Sequence, residues 1–189
     1  MLPSTVTSIR SLSVALALTL SVAAHAQSNP PAIQVVTLCA PGEQVLMAGR
    51  MQQVKRGGTS TTYVPNGKYA SLCANSADEP ITSMVYRYGK PGAIEMEEKA
   101  TSQRKFFVYF ESGGPRSGSN TVWFTKGEYR YQIEAGVGMA RGVSVSVYKG
   151  GKQVVDLFSD LGDEDHYSNT LGIDFSAPKS PVLTARSPL

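Results

Sequence analysis

The fold is decided by residues 121–134, TVWFTKGEYRYQIE, where two β-type runs flank a single glycine. In the second run, Tyr129, Tyr131 and Ile133 alternate with charged or polar residues. A period of two places successive side chains on opposite faces, which gives a β-strand one buried face and one wet face. Because strands joined by so short a connection as the one at Gly127 pair antiparallel, the stretch predicts a β-hairpin.

The same pattern extends along most of the chain. The run GVSVSVY at 142–148 alternates valine with serine, and SMVYRYG at 83–89 alternates in a similar way. The run KFFVYF at 105–110 is more continuously apolar and predicts a central strand covered on both faces. No window of helical length carries a convincing apolar stripe, so the chain is predicted to be all-β.

Turn signals separate these runs and predict hairpins between neighbouring strands. They are Pro65-Asn66-Gly67, Gly89-Lys90-Pro91-Gly92, Gly127 and Gly150-Gly151. We expect an antiparallel meander of about eight or nine strands that forms a barrel or a sandwich. The candidate strands, of which some early ones are the weakest, are 33–38, 43–53, 60–64, 68–74, 82–88, 93–98, 105–111, 120–126, 129–135, 142–149 and 152–158.

Residues 1–26 have the features of a cleaved signal peptide. Arg10 supplies a positive charge, and the apolar run at 12–24 is shorter than the roughly 20 residues that span a bilayer. The run ends at Ala24-His25-Ala26, which has small residues where a signal peptidase reads them. We therefore expect an exported protein, periplasmic or extracellular, without a membrane span.

The rest of the chain divides into three parts. Residues 27–31 form a short polar lead, and residues 32–158 carry the alternating pattern of the β domain. From 159 to 189 the alternation is lost, and we expect a loop followed by a disordered tail at 176–189.

The only two cysteines, Cys39 and Cys73, are predicted to form a disulfide because an exported protein meets an oxidising compartment. The bond closes a loop of roughly 34 residues, which corresponds to about 3–4 kcal/mol in the chain-entropy model. A catalytic redox pair would require a CxxC spacing, which this chain lacks.

Catalysis has little support in the sequence. Once residues 1–26 are removed, His166 is the single histidine, and it follows an acidic run in DLGDEDH at 160–166, beyond the last predicted strand. That position is typical of a solvated loop, and the acidic spacing matches no complete calcium loop. We predict no catalytic residue, no metal and no cofactor. A hydrolase or metal-dependent enzyme is kept as a second alternative.

Two other features point to binding. The polar loop ESGGPRSGSN at 111–120 offers serine hydroxyls and a guanidinium to a partner. The tyrosines on predicted strands suggest a different site, a ligand cavity inside a barrel, lined by Tyr86, Trp123 and Tyr131. The formal net charge of +3 is too small to indicate a nucleic-acid partner.

Four segments in this order resemble a group of small exported bacterial β-proteins, most of them uncharacterised. They are LCAPGEQVLM at 38–47, NGKYASLCAN at 66–75, MVYRYGKPGAIEM at 84–96 and FFVYFESGGPRSGSNTVWFTKGEYRY at 106–131. The resemblance spans about 38–158. It supports an exported β domain and implies little about activity.

More remotely, the export signal, the size, the single disulfide and the Ser/Gly loop are similar to those of periplasmic lysozyme inhibitors. This resemblance implies a loop at 112–120 that enters a lysozyme cleft through Ser112, Arg116, Ser117 and Gly118. The main expectation is therefore a non-catalytic binding module for a protein or envelope component, such as a lysozyme-like enzyme. A small-ligand-binding β-barrel is the first alternative.

Overall fold

The computed structural model describes residues 36–114, 116–138, 141–159, 167–168 and 173–188, without the side chains of 137, 138, 167 and 168. All of these residues belong to one compact unit, Ile33–Leu189. The predicted signal peptide and lead (1–31), the acidic run and His166 lie outside the described residues. Within the described ranges there is no helix long and apolar enough to cross a membrane.

The described chain forms strands separated by short connections, which confirms the all-β prediction. Their bounds are β1 Gln44–Gly57, β2 Ser60–Ala74, β3 Met84–Lys90, β4 Ala93–Lys99, β5 Phe106–Ser112, β6 Ser117–Lys126, β7 Tyr129–Gly138, β8 Gly142–Lys149, β9 Lys152–Ser159, β10 Tyr167–Ser168 and β11 Leu183–Ala185.

These strands form one curled sheet, a half-barrel. Ten of them follow the order β11-β5-β6-β7-β8-β9-β1-β2-β3-β4, and β10 pairs with β1 beside this path. All pairs are antiparallel except β11 with β5, so the sheet is mixed rather than a pure meander. The antiparallel pairing of β9 with β1 joins the meander β1–β4 to the meander β5–β9, and the predicted hairpins by themselves do not imply this pairing.

The core lies on the concave face of the half-barrel. Phe124 of β6 is its aromatic centre, with its ring stacked on Phe106 at 4.6 Å and on Tyr131 at 5.2 Å between ring centroids. Aliphatic and methionine side chains of β1, β2, β3, β7 and β8 surround these rings. Because alternate residues of every strand face inward, the period-two pattern of the sequence becomes one continuous apolar interior.

The turn predicted at Pro65-Asn66-Gly67 is wrong. The segment lies inside β2, where the pairing shifts from Met51–Lys68 to Gln52–Pro65 and leaves two residues as a bulge. Gly67 has a φ of +68°, which a side chain disfavours, so the glycine permits a bulge rather than a chain reversal. The predicted strands 60–64 and 68–74 are therefore one strand.

The disordered tail expected at 176–189 is also corrected over its described part, 176–188. Leu183 and Val182 are buried, and β11 pairs in parallel with β5. The sequence contained one indication of an ordered segment here, the short apolar group Pro-Val-Leu at 181–183. That this group packs against the sheet follows only from the folded structure.

The N-terminal segment before β1 crosses the convex face of β2 and β3. The Leu38 backbone N–H donates to the Ser71 hydroxyl at 2.9 Å, and the predicted Cys39–Cys73 disulfide is confirmed. A strand was predicted at 33–38, but the described residues of this range, 36–38, do not form one. The segment is attached by the disulfide and by side-chain hydrogen bonds rather than by the backbone hydrogen bonds of a sheet.

Arg87 of β3 adds an ionic attachment for the same segment. Its guanidinium donates to Glu43 at 2.5 Å and to Glu97 of β4 at 2.7 Å. The hydrogen bond from Arg87 holds the pKa of the Glu43 carboxyl below its usual value, against the opposing effect of burial. Glu97 is the more exposed of the two carboxylates.

This arrangement predicts a specific acid sensitivity. Since the pKa of Glu43 is lower in the folded chain than in the unfolded chain, the contact stabilises the fold above the unfolded pKa and weakens as pH falls through the folded pKa. Between about pH 6 and pH 3, urea midpoints should therefore fall more for the natural chain than for Glu43→Gln. Glu97→Gln is the control and should keep most of the pH dependence. If the urea midpoints of the natural chain and of Glu43→Gln fell equally, the acid sensitivity could not be assigned to Glu43.

Candidate functional site

A cleft opens on the concave face of the half-barrel, between β3–β4 on one side and β7–β9 on the other. Its volume is about 280 Å³, and its lining is mostly apolar. Four tyrosines line it together with Met96 and aliphatic residues of β8 and β9; the tyrosines are Tyr86, Tyr88, Tyr129 and Tyr131. We call this the tyrosine cleft.

Strand alternation supplies the tyrosines in pairs. Two of them are two residues apart on β3 and two are two residues apart on β7, so each pair faces inward from its strand. In the hairpin of β6 and β7, Phe124 pairs in register with Tyr131. The stacked Phe124 ring therefore forms a rigid support beneath the tyrosines of both walls.

Tyr86 is the most buried of the four, with 2% of its surface exposed. Its ring packs against Phe124 with 5.6 Å between ring centroids. Burial raises the pKa of its hydroxyl, and the nearby tyrosines Tyr88 and Tyr131 raise it further. The hydroxyl is therefore protonated throughout the physiological range, and Tyr86 lines the tyrosine cleft.

Tyr88 is held differently, by the bulge of β2. The side-chain amide of Asn66 donates to the Tyr88 hydroxyl at 3.1 Å, and the Lys68 ammonium lies 5.5 Å from the centre of the Tyr88 ring. Lys68 is also paired with Glu95 at 2.6 Å. The Pro-Asn-Gly segment that resembles a turn in sequence thus orients one side of the cleft.

The mouth of the cleft is apolar but rimmed by charge. Val154 and Val155 at the start of β9 are 49% and 36% exposed. The Lys149 ammonium lies 5.3 Å from the Tyr129 ring centre and is paired with Glu128 at 2.8 Å. A ligand would therefore enter past the two valines, and the lysines beside the mouth, Lys68 and Lys149, are each paired with a glutamate.

The predicted cavity residues are only partly brought together. Tyr86 and Tyr131 line the tyrosine cleft, whereas Trp123 lies on the convex face. Its ring stacks on Phe107 at 4.2 Å, and its indole N–H donates to the Arg186 carbonyl at 2.9 Å. Trp123 and Phe124 are consecutive in a strand, so they cannot share a face, and Phe124 occupies the place assigned to Trp123.

The sequence analysis missed Phe124, Tyr88 and Tyr129. A signal for the first was present, because pairing across the turn after Lys126 sets Phe124 opposite Tyr131. The alternation in MVYRYG likewise places Tyr88 on the same face as Tyr86.

The predicted contact loop is shorter than expected. Residues 117–120 belong to β6, so the connection between β5 and β6 is only 113–116. Ser112 ends β5 and is exposed, as is Arg116. The Ser117 hydroxyl donates to the Gly113 carbonyl at 2.9 Å, and the Gly113 N–H donates to the Ser117 carbonyl at 2.9 Å.

Gly118, also assigned to this loop, is buried in β6. A Cβ atom there would lie 2.9 Å from the Glu111 carbonyl oxygen and 3.2 Å from the Phe110 ring. Such a distance requires the neighbours to move, so the glycine serves close packing rather than contact with a partner. The exposed candidates of this hairpin are therefore Ser112 and Arg116.

Acidic clusters within the described residues are neutralised. Glu98 of β4 is buried and pairs with both Arg104 and Lys126 at 2.9 Å.

Cys39, Glu43 and Cys73 are residue types that can bind a metal ion and lie close together. The two cysteine sulfur atoms, however, are bonded to each other in the disulfide. The strongest candidate for function is the tyrosine cleft, with its four converging tyrosines.

Comparisons of the chain with protein-family models, with curated proteins and with solved structures found no match.

Proposed function

We propose that the protein is an exported, non-catalytic binding protein whose tyrosine cleft holds a small, largely apolar molecule. The apolar N-terminal segment and the disulfide support export. The observation that carries the binding proposal is the tyrosine cleft itself, a mostly apolar space of about 280 Å³ on the concave face into which four tyrosines converge.

The chemistry of the cleft defines the class of ligand. A hydrogen bond between a tyrosine hydroxyl of the cleft and a ligand oxygen would contribute about 0.5–1.5 kcal/mol net to binding. Because the raised pKa keeps Tyr86 protonated, the hydroxyl acts as a donor. A volume of about 280 Å³ lies at the small end of ligand pockets. The proposed ligand therefore has one or two rings and a carbonyl, ether or hydroxyl oxygen.

Replacing Tyr86 with phenylalanine tests the proposal through stability and binding together. The ring packing against Phe124 is retained, so the unliganded variant should keep nearly the stability of the natural chain. Affinity for Prodan, a neutral two-ring fluorophore with a ketone oxygen, should fall by about tenfold, as for loss of one buried hydrogen bond. Fluorescence titration and urea unfolding measure the two effects.

Tyr148→Phe is the matched control, because Tyr148 lies on the convex face, with its ring 4.5 Å from the Arg130 guanidinium. Prodan affinity should be unchanged in this variant. Absence of saturable Prodan binding to the natural chain, or equal binding to Tyr86→Phe, would contradict the proposed site.

A second candidate function is the inhibition of a lysozyme-like enzyme by the β5–β6 hairpin. It is favoured by the exposed Arg116 and by the two hydrogen bonds between Gly113 and Ser117 that close the connection. An exposed cation on a fixed hairpin could bind the paired carboxylates of such an enzyme. Assays of the full chain at micromolar concentration against c-, g- and i-type lysozymes test this function, and no inhibition of any type would remove it.

The hydrolase or metal-dependent alternative depends on His166 and the acidic run, which lie outside the described residues. It stays a prediction, and metal analysis of the purified chain is its direct test.

A further inference from the structure

The C-terminal strand β11 covers only half of the outer edge of β5. Leu183–Ala185 pairs with residues 106–108, and the Arg186 N–H donates to the Val108 carbonyl at 2.9 Å. Beyond Val108, β5 continues to Ser112. In the described part of the chain this second half pairs only with β6, on its inner edge.

The indole of Trp123 binds the C-terminal chain at the point where the ladder stops. A continuing parallel ladder would require the Arg186 carbonyl to accept the Phe110 N–H. That carbonyl instead accepts the Trp123 indole N–H at 2.9 Å. The C-terminal chain leaves β5 here, and the backbone groups of Phe110 and Ser112 that face outward have no backbone partner among the described residues.

An open cleft lies beside this free edge. It has a volume of about 610 Å³ and is lined by Tyr109, Phe110 and Phe175 together with residues on either side of β11. The Phe110 side chain is 47% exposed. The free edge and the cleft thus offer backbone hydrogen bonds and an apolar surface side by side.

We propose that an extended segment of another polypeptide adds to β5 at residues 109–112 and places an apolar side chain in the cleft beside Phe110. An outward row of backbone N–H and C=O groups at every second residue matches an extended polypeptide in repeat and in hydrogen-bonding pattern. The chain's own β11 demonstrates that this edge accepts a strand. The added strand would end beside the hairpin connection that carries Arg116.

This interaction goes beyond the proposed ligand site and does not depend on it. Tyr86 and the tyrosine cleft lie on the concave face, whereas the free edge lies at the border of the sheet. A strand-adding partner and a small ligand could therefore be bound together.

The test uses random peptides of about nine residues, within the ordinary range of strand length, displayed on phage and selected on the full chain. A selected peptide is then synthesised, and its affinity is measured for the natural chain and for Phe110→Pro. Proline removes the outward N–H, which β6 does not use, and edge positions of this kind tolerate it. We expect Phe110→Pro to weaken binding by at least about tenfold.

Two controls separate the backbone from the side chain. Phe110→Ala keeps the N–H and should weaken binding less than Phe110→Pro, and Tyr86→Phe should bind the peptide normally. A peptide with alternate amides N-methylated should lose binding, because it cannot form the ladder.

Amide hydrogen exchange of the natural chain provides a measurement that does not depend on the folding of a variant. Bound peptide should slow exchange at Phe110 and Ser112. Failure to select any binding peptide, protection confined to the tyrosine cleft, or retained affinity in a folded Phe110→Pro would overturn the proposal.

Discussion

Replacing Phe124 with alanine is expected to lower the free energy of unfolding by about 3–5 kcal/mol, the range for truncation of a buried aromatic residue. Phe124 is 2% exposed. Its ring packs on three others, those of Phe106, Tyr131 and Tyr86, with centroids between 4.6 and 5.6 Å away. The loss combines the transfer free energy of the ring with the cavity that remains.

Urea unfolding followed by far-ultraviolet circular dichroism measures this effect. Phe107→Ala is the control, since Phe107 is a neighbouring aromatic residue of β5 that lies half-buried on the convex face. Phe107→Ala should lower the free energy of unfolding clearly less than Phe124→Ala does. A change below about 1 kcal/mol in Phe124→Ala would contradict a packed aromatic centre.

The same substitution should also affect ligand binding. Phe124 supports both Tyr86 and Tyr131, so its removal enlarges the tyrosine cleft and frees the rings on both walls. In the folded variant, Prodan should bind more weakly than it does to the natural chain. Unchanged affinity would place Prodan elsewhere, and the proposed site would then be wrong.

The double replacement of Cys39 and Cys73 by serine is expected to cost about 3–4 kcal/mol of stability, as calculated for a loop of roughly 34 residues. The disulfide attaches the segment before β1 to β2, beside hydrogen bonds from Thr37 and Leu38 to the Ser71 hydroxyl. Without it, the unfolded chain gains conformational freedom, and the folded chain keeps only weaker attachments there.

The measurement compares urea midpoints with and without dithiothreitol. Reduced natural chain should unfold near the midpoint of the double variant, and the reductant should have no effect on the double variant itself. Equal stability of the oxidised natural chain and the double variant would show that the bond does not stabilise the fold.

Most of the strand pattern was predictable, because it depends on interactions that are local in sequence. Alternation in YRYQIE and SVSVY located β7 and β8, and the glycine turns located their hairpins. The prediction failed at Pro65-Asn66-Gly67, where the same turn residues make a bulge. Some bulges and some turns use a glycine with positive φ, as at Gly67, and the choice between them depends here on the partner strand β1.

The candidate site was less predictable. Tyr86 and Tyr131 were identified as cavity residues, but they come from strands far apart in the sheet and meet only because the sheet curls. Trp123 was wrongly assigned to the cavity because the assignment used its aromatic side chain and not the face of β6 on which it lies. The loop at 112–120 was overestimated, since serine and glycine continue into β6 and are buried there.

The sequence by itself determined the all-β class, the hairpins at Gly89–Gly92, Gly127 and Gly150–Gly151, and the one disulfide. These follow from period-two alternation, from turn residues and from the presence of only two cysteines. Tertiary structure alone decided which strand lies next to β1, where β11 leaves β5, and which tyrosines share a cleft. These features depend on contacts between residues distant in the chain, and a local pattern does not encode the curl that brings them together.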